Sequence, residues 1–146
     1  MRVLAITALA LLLSACAERG SGLIAVEDPW IREAPPNARA LAGYMRLVNG
    51  GTEPVALLYA NSSVFERVEL HVTRHDGDRM RMEQVDHIAL PPRESVQLVP
   101  GGLHLMLIGP QRALVAGDRV RIELSFSDGT ARDVVFPVRD ARGQHR

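Results

Sequence analysis

Two histidines and two methionines in the middle of the chain have the residue types and the spacing of a soft metal site. Ten residues separate His71 from Met82, twenty-one separate Met82 from His104, and one separates His104 from Met106. Neutral imidazoles and thioethers suit Cu(I) far better than magnesium, calcium or manganese, which prefer oxygen ligands. Cu(I) accepts trigonal or tetrahedral sites, so strands and turns can supply its ligands. These four residues therefore predict a Cu(I) site.

The segment around His104 predicts how two of these ligands are positioned. Side chains alternate between the two faces of a β-strand, so in the run 103–107 His104 and Met106 share one face and the leucines point to the other. A lone His or Met in a strand is more often a packing residue, but the joint spacing favours ligands. Met80 shares a strand face with Met82, so it could be an auxiliary metal ligand. We favour a packing role for Met80 over that alternative.

This spacing resembles the signature of the bacterial periplasmic copper chaperones of the PCu(A)C family, which reads His, ten residues, Met, twenty-one residues and His-x-Met. Some members carry a Met directly after the first His; Val72 stands there, so no fifth thioether is expected at that position. The resemblance covers nearly the whole chain after its first residues. The segments that also resemble the family's strands and turns are 30–36, 43–45, 68–71, 80–82 and 100–106.

The resemblance carries expectations about fold and function. It implies a cupredoxin-like Greek-key barrel and a Cu(I) carrier that performs no chemistry on a substrate. It also implies a copper-accepting partner, with delivery towards cytochrome c oxidase, often alongside Sco-type proteins. Two alternatives stay open: a lipoprotein that buffers copper or confers resistance with the same ligands, and a metal-free anchored β-sandwich in which the four residues pack.

The rest of the chain is patterned as short β-strands separated by turn residues. Alternating apolar positions bounded by Gly, Pro, Asn and Asp indicate strands and hairpins, and many short strands at such spacing predict an all-β antiparallel sandwich or barrel. The nine predicted strands are Leu23–Val26, Gly43–Val48, Val55–Ala60, Val64–His71, Arg79–Val85, Ser95–Leu98, Leu103–Ile108, Arg119–Phe126 and Ala131–Val138.

One segment fits two kinds of element. Val64, Val68 and His71 would share the face of a helix, but the alternation in 68–71 and the β context favour a strand. The three segments that carry the four candidate ligands then converge near one edge or end of the barrel. Outer groups that orient the imidazoles are expected, although the sequence does not identify them.

The first residues predict export and a lipid anchor. Arg2 followed by the apolar run 3–13 is typical of a secretory signal and is too short to cross a bilayer. Leu13–Cys16 resembles a bacterial lipobox, which predicts cleavage before Cys16 and lipidation of its thiol in the cell envelope. Cleavage after Ala17, giving a soluble periplasmic protein, is the alternative. The predicted organisation is a signal peptide (1–15), a lipidated anchor and tether (16–22), a copper-binding β domain (23–138) and a polar tail (139–146).

Composition excludes several other classes. The 17 basic residues, all arginine, balance 17 acidic ones, and a near-neutral chain without a basic stripe argues against nucleic-acid binding. A thiol–disulfide oxidoreductase needs Cys-x-x-Cys, and a blue-copper centre needs a Cys ligand; the single cysteine provides neither. No hydrolase, metalloprotease or phosphate-loop motif is present. We therefore expect a protein that is not an enzyme.

The remaining histidines are not assigned to the metal. His75 falls in a predicted turn, 74–78, and His87 follows Asp86, so both are expected to be solvated. His145 lies in the polar tail and is expected to bind metal weakly at most. These assignments leave the His71, Met82, His104 and Met106 set as the predicted site.

Overall fold

The computed structural model describes residues 23–140. The strands are β1 (Ile24–Arg32), β2 (Ala40–Asn49), β3 (Val55–Asn61), β4 (Phe65–Asp76), β5 (Arg79–Gln84), β6 (Ile88–Leu90), β7 (Ser95–Leu98), β8 (Leu103–Pro110), β9 (Arg119–Phe126) and β10 (Ala131–Arg139). Within this range no helix has both the length and the apolar character that a membrane crossing requires. The predicted signal peptide, Cys16, the tether and residues 141–146 lie outside the described residues.

The strands pack as a β-sandwich. One sheet has the order β5-β4-β8-β2-β1, with β7 also paired to β2, and the other has the order β10-β9-β3-β6. Strand β10 connects the two sheets, because it pairs with β9 along most of its length and with β1 at its end. The β1–β10 pair is parallel, and the other pairs are antiparallel. The predicted cupredoxin-like all-β fold is confirmed, with this parallel pair as an addition.

Each of the nine predicted strands overlaps an observed one, but several ends were wrong, since β1 continues to Arg32 and β2 begins at Ala40. In the segment 64–74, Val64 belongs to a turn and the residues from Phe65 onward are strand rather than helix. The predicted turn 74–78 is too long, because β4 continues to Asp76 and joins β5 through two residues, Gly77 and Asp78. Gly77 has a φ of +58°, which fits the first central position of a type II′ hairpin turn. Strand β6 is not among the predicted strands, since its three residues carry too little alternation to be recognised.

The hydrophobic core lies between the two sheets, and β8 contributes one face to it. Leu105 and Leu107 are fully buried there, against apolar residues that include Ile122 and Phe136 of the second sheet. Because side chains alternate along a strand, the even-numbered residues of this part of β8 point away from the core, across the outer face of the first sheet. The core thus fixes β8 without using the candidate ligands.

Candidate metal centre

The pairing of β4 with β8 brings the two histidines side by side. His71 is directly opposite His104 in the ladder, and their ring centroids are 5.8 Å apart with the ring planes inclined by 47°. Because an imidazole nitrogen lies about 2.0–2.1 Å from a d¹⁰ ion such as Zn²⁺, two rings that share an ion have centroids at most about 6.3 Å apart. The two imidazoles are therefore close enough to bind one ion.

Each imidazole uses one nitrogen in a hydrogen bond and leaves the other without a partner. His71 Nε2 lies 2.9 Å from Glu69 Oε2, and His104 Nδ1 lies 3.0 Å from the carbonyl oxygen of Gly102. Carboxylate and carbonyl oxygens accept hydrogen bonds, so these two nitrogens carry the protons. In the neutral rings, His71 Nδ1 and His104 Nε2 then hold the lone pairs, and both atoms are buried without a partner. Among the described residues, Arg32 Nε is the other buried side-chain atom in that state.

Met106 lies two residues beyond His104 on the same face of β8. It is opposite Glu69 of β4 on one side and Ala42 of β2 on the other, and it is partly buried. The Ala42 side chain is a single methyl group and does not compete for the space above the sheet. Met106 therefore lies on the same face of the sheet as the two imidazoles, next to His104 along β8 and diagonal to His71.

Met82 extends the candidate site to the edge strand β5. It is opposite Thr73, which is two residues beyond His71 on the same face of β4. Such diagonal neighbours lie about 7–8 Å apart, within reach of a long side chain. Met82 is 58% exposed, and Met80, opposite His75, is 74% exposed. A methionine as exposed as Met80 does not fill a core, so the preferred packing interpretation is wrong for this residue.

The turn before β8 sets the ring of His104. In the turn Val99–Gly102, proline occupies the second position, Gly101 has a φ of +79° at the third, and the last N–H donates to the first carbonyl at 3.0 Å. This is the pattern of a type II turn. The Gly102 carbonyl then accepts from the Thr73 N–H at 3.0 Å as well as from His104. One oxygen of the Pro-Gly-Gly turn therefore holds both β4 and the imidazole.

Glu69 is a contact of the site that the sequence pattern did not single out. Its carboxylate lies 2.7 Å from Arg67 Nε and 2.9 Å from His71 Nε2. The hydrogen bond from His71, followed by that from Arg67, holds the pKa of Glu69 below its usual range, so the carboxyl group is ionised at neutral pH. The available signal was strand alternation, which puts residues 69 and 71 on one face.

Other features of residues 23–140 do not compete with this site. No three His, Cys, Asp or Glu side chains of that range come together to hold a metal, so a zinc-type site built from such ligands alone is not assembled there. His75 and His87 are exposed, as predicted. The apolar concavity lined mainly by residues 33–38 and 110–115, with a volume of about 520 Å³, contains none of the four candidate ligands.

Trp30 and Tyr44, to which no ligand role was given, pack against each other. Both are buried, and their ring centroids are 4.6 Å apart. Arg139 lies over the indole with its Cζ 5.7 Å from the ring centroid. Burial raises the pKa of the Tyr44 hydroxyl. These contacts are consistent with the packing role expected for both aromatic residues.

Comparisons with known proteins find similarity to a family and a relative named as lipoproteins and to solved copper-binding domains. Residues 24–138 match the model of the LpqE-like family, described as "Putative lipoprotein LpqE-like". Lxx21020 of Leifsonia xyli subsp. xyli, whose name also describes a lipoprotein, is 32% identical over 122 residues, which are 82% of this chain and 72% of that protein.

Two solved structures are similar over most of the described residues. The copper-bound PCuAC domain from PmoF2 has a TM-score of 0.72 and 26% identity, covering 82% of this chain and 95% of that domain. The solution structure of Cu(I)-DR1885 from Deinococcus radiodurans has a TM-score of 0.68 and 28% identity, covering 87% of this chain and 85% of that one. Both likenesses support the cupredoxin-like sandwich.

Proposed function

The chain belongs to the LpqE-like family, and from this membership and the geometry of the site we propose that it is a Cu(I) metallochaperone of the cell envelope. Its ligands are His71, Met82, His104 and Met106. The observation that carries the proposal is the pair of buried imidazole nitrogens, one on each histidine, that have no hydrogen-bond partner. Buried polar atoms normally have one, and a shared copper ion would supply it.

The oxidation state follows from the chemistry of the ligands. Two neutral imidazoles and two thioethers form a soft set without charge, which suits Cu(I). The two similar solved structures support copper as the metal, since one is copper-bound and the other is a Cu(I) form. Thioethers carry no proton, so protons compete with copper only at the two imidazoles.

The exposure of the ligands supports transfer rather than storage. His104 is 3% exposed, whereas Met82 is 58% exposed at the edge strand. An acceptor can therefore replace Met82 first, while the two imidazoles still hold the ion. Met80, exposed further along the same strand face, serves as an auxiliary ligand on that path. A protein that only buffered copper would use the same ligands but would gain nothing from an open side.

The proposed location and recipient rest on other observations. The lipoprotein names of the family and of Lxx21020 support anchoring at Cys16, which predicts that acyl labelling in the host is lost in Cys16→Ser. The copper acceptor that the PCu(A)C resemblance implies is a Sco-type protein or a cytochrome c oxidase subunit. Oxidase copper content in a deletion strain grown at limiting copper should then be restored by the wild-type gene and not by a ligand-deficient one.

A Cu(I) competition titration against a chromogenic chelator tests the proposal. Protein starting at Glu18 is titrated without oxygen and under reducing conditions, beside the variant Met82→Leu/Met106→Leu. Met45→Leu is the matched control, since Met45 is buried in the core and the change conserves volume in the same way. The wild type and the control are expected to hold one equivalent tightly, and the double variant is expected to lose it.

The same titration contains the outcome that overturns the proposal. Equal, weak binding by the wild type and the double variant would leave the four residues as packing or surface residues. A loss of binding in Met45→Leu equal to that in the double variant would mean that the method reports general damage rather than ligand loss. Transfer is then measured by mixing copper-loaded protein with a candidate acceptor and following copper by gel filtration.

A further inference from the structure

Glu69 occupies a position between a cation and a candidate copper ligand. On β4 it lies on the same face as Arg67 and His71, and its two carboxylate oxygens are divided between them, Oε1 to Arg67 Nε at 2.7 Å and Oε2 to His71 Nε2 at 2.9 Å. Its side chain is 20% exposed, and the residue is opposite Met106 in the ladder. Each oxygen therefore has its own donor, which holds the carboxylate in one orientation.

This carboxylate determines which nitrogen of His71 is free. An ionised carboxylate only accepts hydrogen bonds, so in the neutral ring His71 Nε2 carries the proton and Nδ1 holds the lone pair. Nδ1 is the atom that is buried without a partner. The His71 side chain has several rotamers, and each would point Nδ1 in a different direction. The hydrogen bond from Nε2 to Glu69 selects one of these rotamers.

We propose that Glu69 is a positioning residue for copper, which holds the His71 ring so that Nδ1 faces His104 Nε2 and makes this nitrogen a better donor. The inference rests on the proposed function. Metal-bound histidines commonly donate their other N–H to a carboxylate, which fixes the ring and raises the basicity of the ligand. The Gly102 carbonyl does the same for His104 through Nδ1, so the two histidines bind copper through different nitrogens.

A purely local alternative is that Glu69 forms a surface ion pair with Arg67 and meets His71 by chance. Exposed ion pairs contribute little to stability, so removing such a pair would change neither the fold nor the copper affinity. The two interpretations differ in what the loss of Glu69 does to Cu(I) binding when His71 is present and when it is absent.

The experiment is a double-mutant cycle on the purified protein, with Cu(I) affinity as the first measurement. Loss of an outer partner of a metal ligand lowers metal affinity by about 10–100-fold, and this loss is expected for Glu69→Ala. Glu69→Gln, which keeps an acceptor oxygen but not the charge, should fall between Glu69→Ala and the wild type. In a His71→Ala background the Glu69→Ala change should have no further effect.

Glu83→Ala is the matched control. Glu83 is also paired with an arginine, Arg74, at 2.7 Å, but it neighbours Met82 in β5 and so points to the opposite face of that strand. Its loss should leave Cu(I) affinity unchanged. Denaturant unfolding of all variants shows whether any change in affinity is a change in folding.

The second measurement needs no copper. The ¹⁵N-edited NMR spectrum of the imidazoles should show a proton on His71 Nε2 that is protected from solvent exchange in the wild type and in Glu83→Ala, and not in Glu69→Ala. It should also show the proton of His104 on Nδ1. A His71 ring protonated on Nδ1 in the neutral form would overturn the assignment.

The outcomes separate this inference from the function on which it rests. A wild type that does not bind Cu(I) would overturn the proposed function, and the positioning role with it. A wild type that binds Cu(I) while Glu69→Ala binds equally well would overturn the positioning role alone. The positioning role would also be overturned if Glu69→Ala lowered Cu(I) affinity as much in the His71→Ala background as in the wild type, because that effect would not act through the imidazole.

Discussion

Two adjacent residues of β8 should separate stability from copper binding. Leu105 is fully buried and faces the core, and its neighbour Met106 lies on the outer face. Leu105→Ala should cost about 3–4 kcal/mol, within the range for buried leucines in a core that cannot collapse around the cavity. A domain of this size has about 5–15 kcal/mol of stability, so the variant remains folded. Met106→Leu conserves volume and should cost less than about 1.5 kcal/mol.

Copper binding should show the reverse order. Leu105→Ala keeps both imidazoles and both thioethers, so its Cu(I) affinity should stay near that of the wild type. Met106→Leu removes a proposed direct ligand, and since the loss of an outer partner already costs about tenfold or more, its affinity should fall by at least that factor. Each tenfold loss removes about 1.4 kcal/mol of binding free energy.

Equilibrium unfolding with and without buffered Cu(I) measures both quantities in one assay. Copper at about 1,000 times its dissociation constant stabilises the folded state by about 4.1 kcal/mol. Leu105→Ala should unfold at lower denaturant yet keep this increment, and Met106→Leu should unfold near the wild type and lose part of it. If Leu105→Ala instead lost the increment while Met106→Leu kept it, the division of β8 into a core face and a site face would be wrong.

Three further predictions concern the scaffold. Gly109 has a φ of +64°, and a Cβ there would collide with the Glu66 side chain, so Gly109→Ala should cost more than about 1 kcal/mol in urea unfolding, and Glu66→Ala should relieve only the collision. Burial raises the pKa of the Tyr44 hydroxyl, so the unfolded chain loses this proton at a lower pH than the folded protein does. The free energy of unfolding should therefore fall as the pH rises from the pKa of Tyr44 in the unfolded chain through its pKa in the folded protein. Tyr44→Phe should remove the contribution of this group to the decrease. The hydrogen bond from Arg112 lowers the pKa of Asp118 in the folded protein. The ionised Asp118 carboxylate therefore stabilises the fold at pH values above its pKa in the unfolded chain, and this stabilisation is lost as the pH falls through its pKa in the folded protein. NMR titration should find the pKa of Asp118 raised in Arg112→Gln.

Local chemistry made most of the strands predictable. Turn residues mark where strands end, as at Ser95–Leu98 and Arg119–Phe126, whose predicted bounds equal those of β7 and β9. The alternation in 103–107 correctly separated the core face of β8 from its outer face. Successive side chains of a strand point to opposite faces whatever the neighbouring strands are, so this division can be read from the sequence alone. In the segment 64–74 a helical spacing competes with the strand alternation of 68–71, and the β context of the chain favours the strand.

The missed features depend on contacts between distant segments. Strand β6 forms because residues 88–90 pair with Leu57 and its neighbours in β3. Three residues are too few to carry an alternation that predicts a strand. The extension of β1 to Arg32 passes through a bulge with Asp28 at a φ of +45°, which no pattern of apolar residues reveals. Strand alternation puts Glu69 and His71 on one face of β4, but only the folded structure shows that the carboxylate contacts His71 Nε2 and that Nδ1 is left without a partner.

Under the proposed function, the four candidate ligands divide into three that would hold copper and one that could release it, according to the strands that carry them. Strands β4 and β8 lie inside the first sheet with a neighbour on each side, and they carry both imidazoles and Met106. Strand β5 pairs with β4 alone among the described strands, and it carries Met82 at an exposed position. Because local opening is easiest where backbone hydrogen bonds are exposed and buried contacts are few, we expect the proposed bond from copper to Met82 to break without disturbing the other three proposed ligands. A site in which every ligand came from inside the sheet would hold copper as firmly but could release it only by opening the sheet itself.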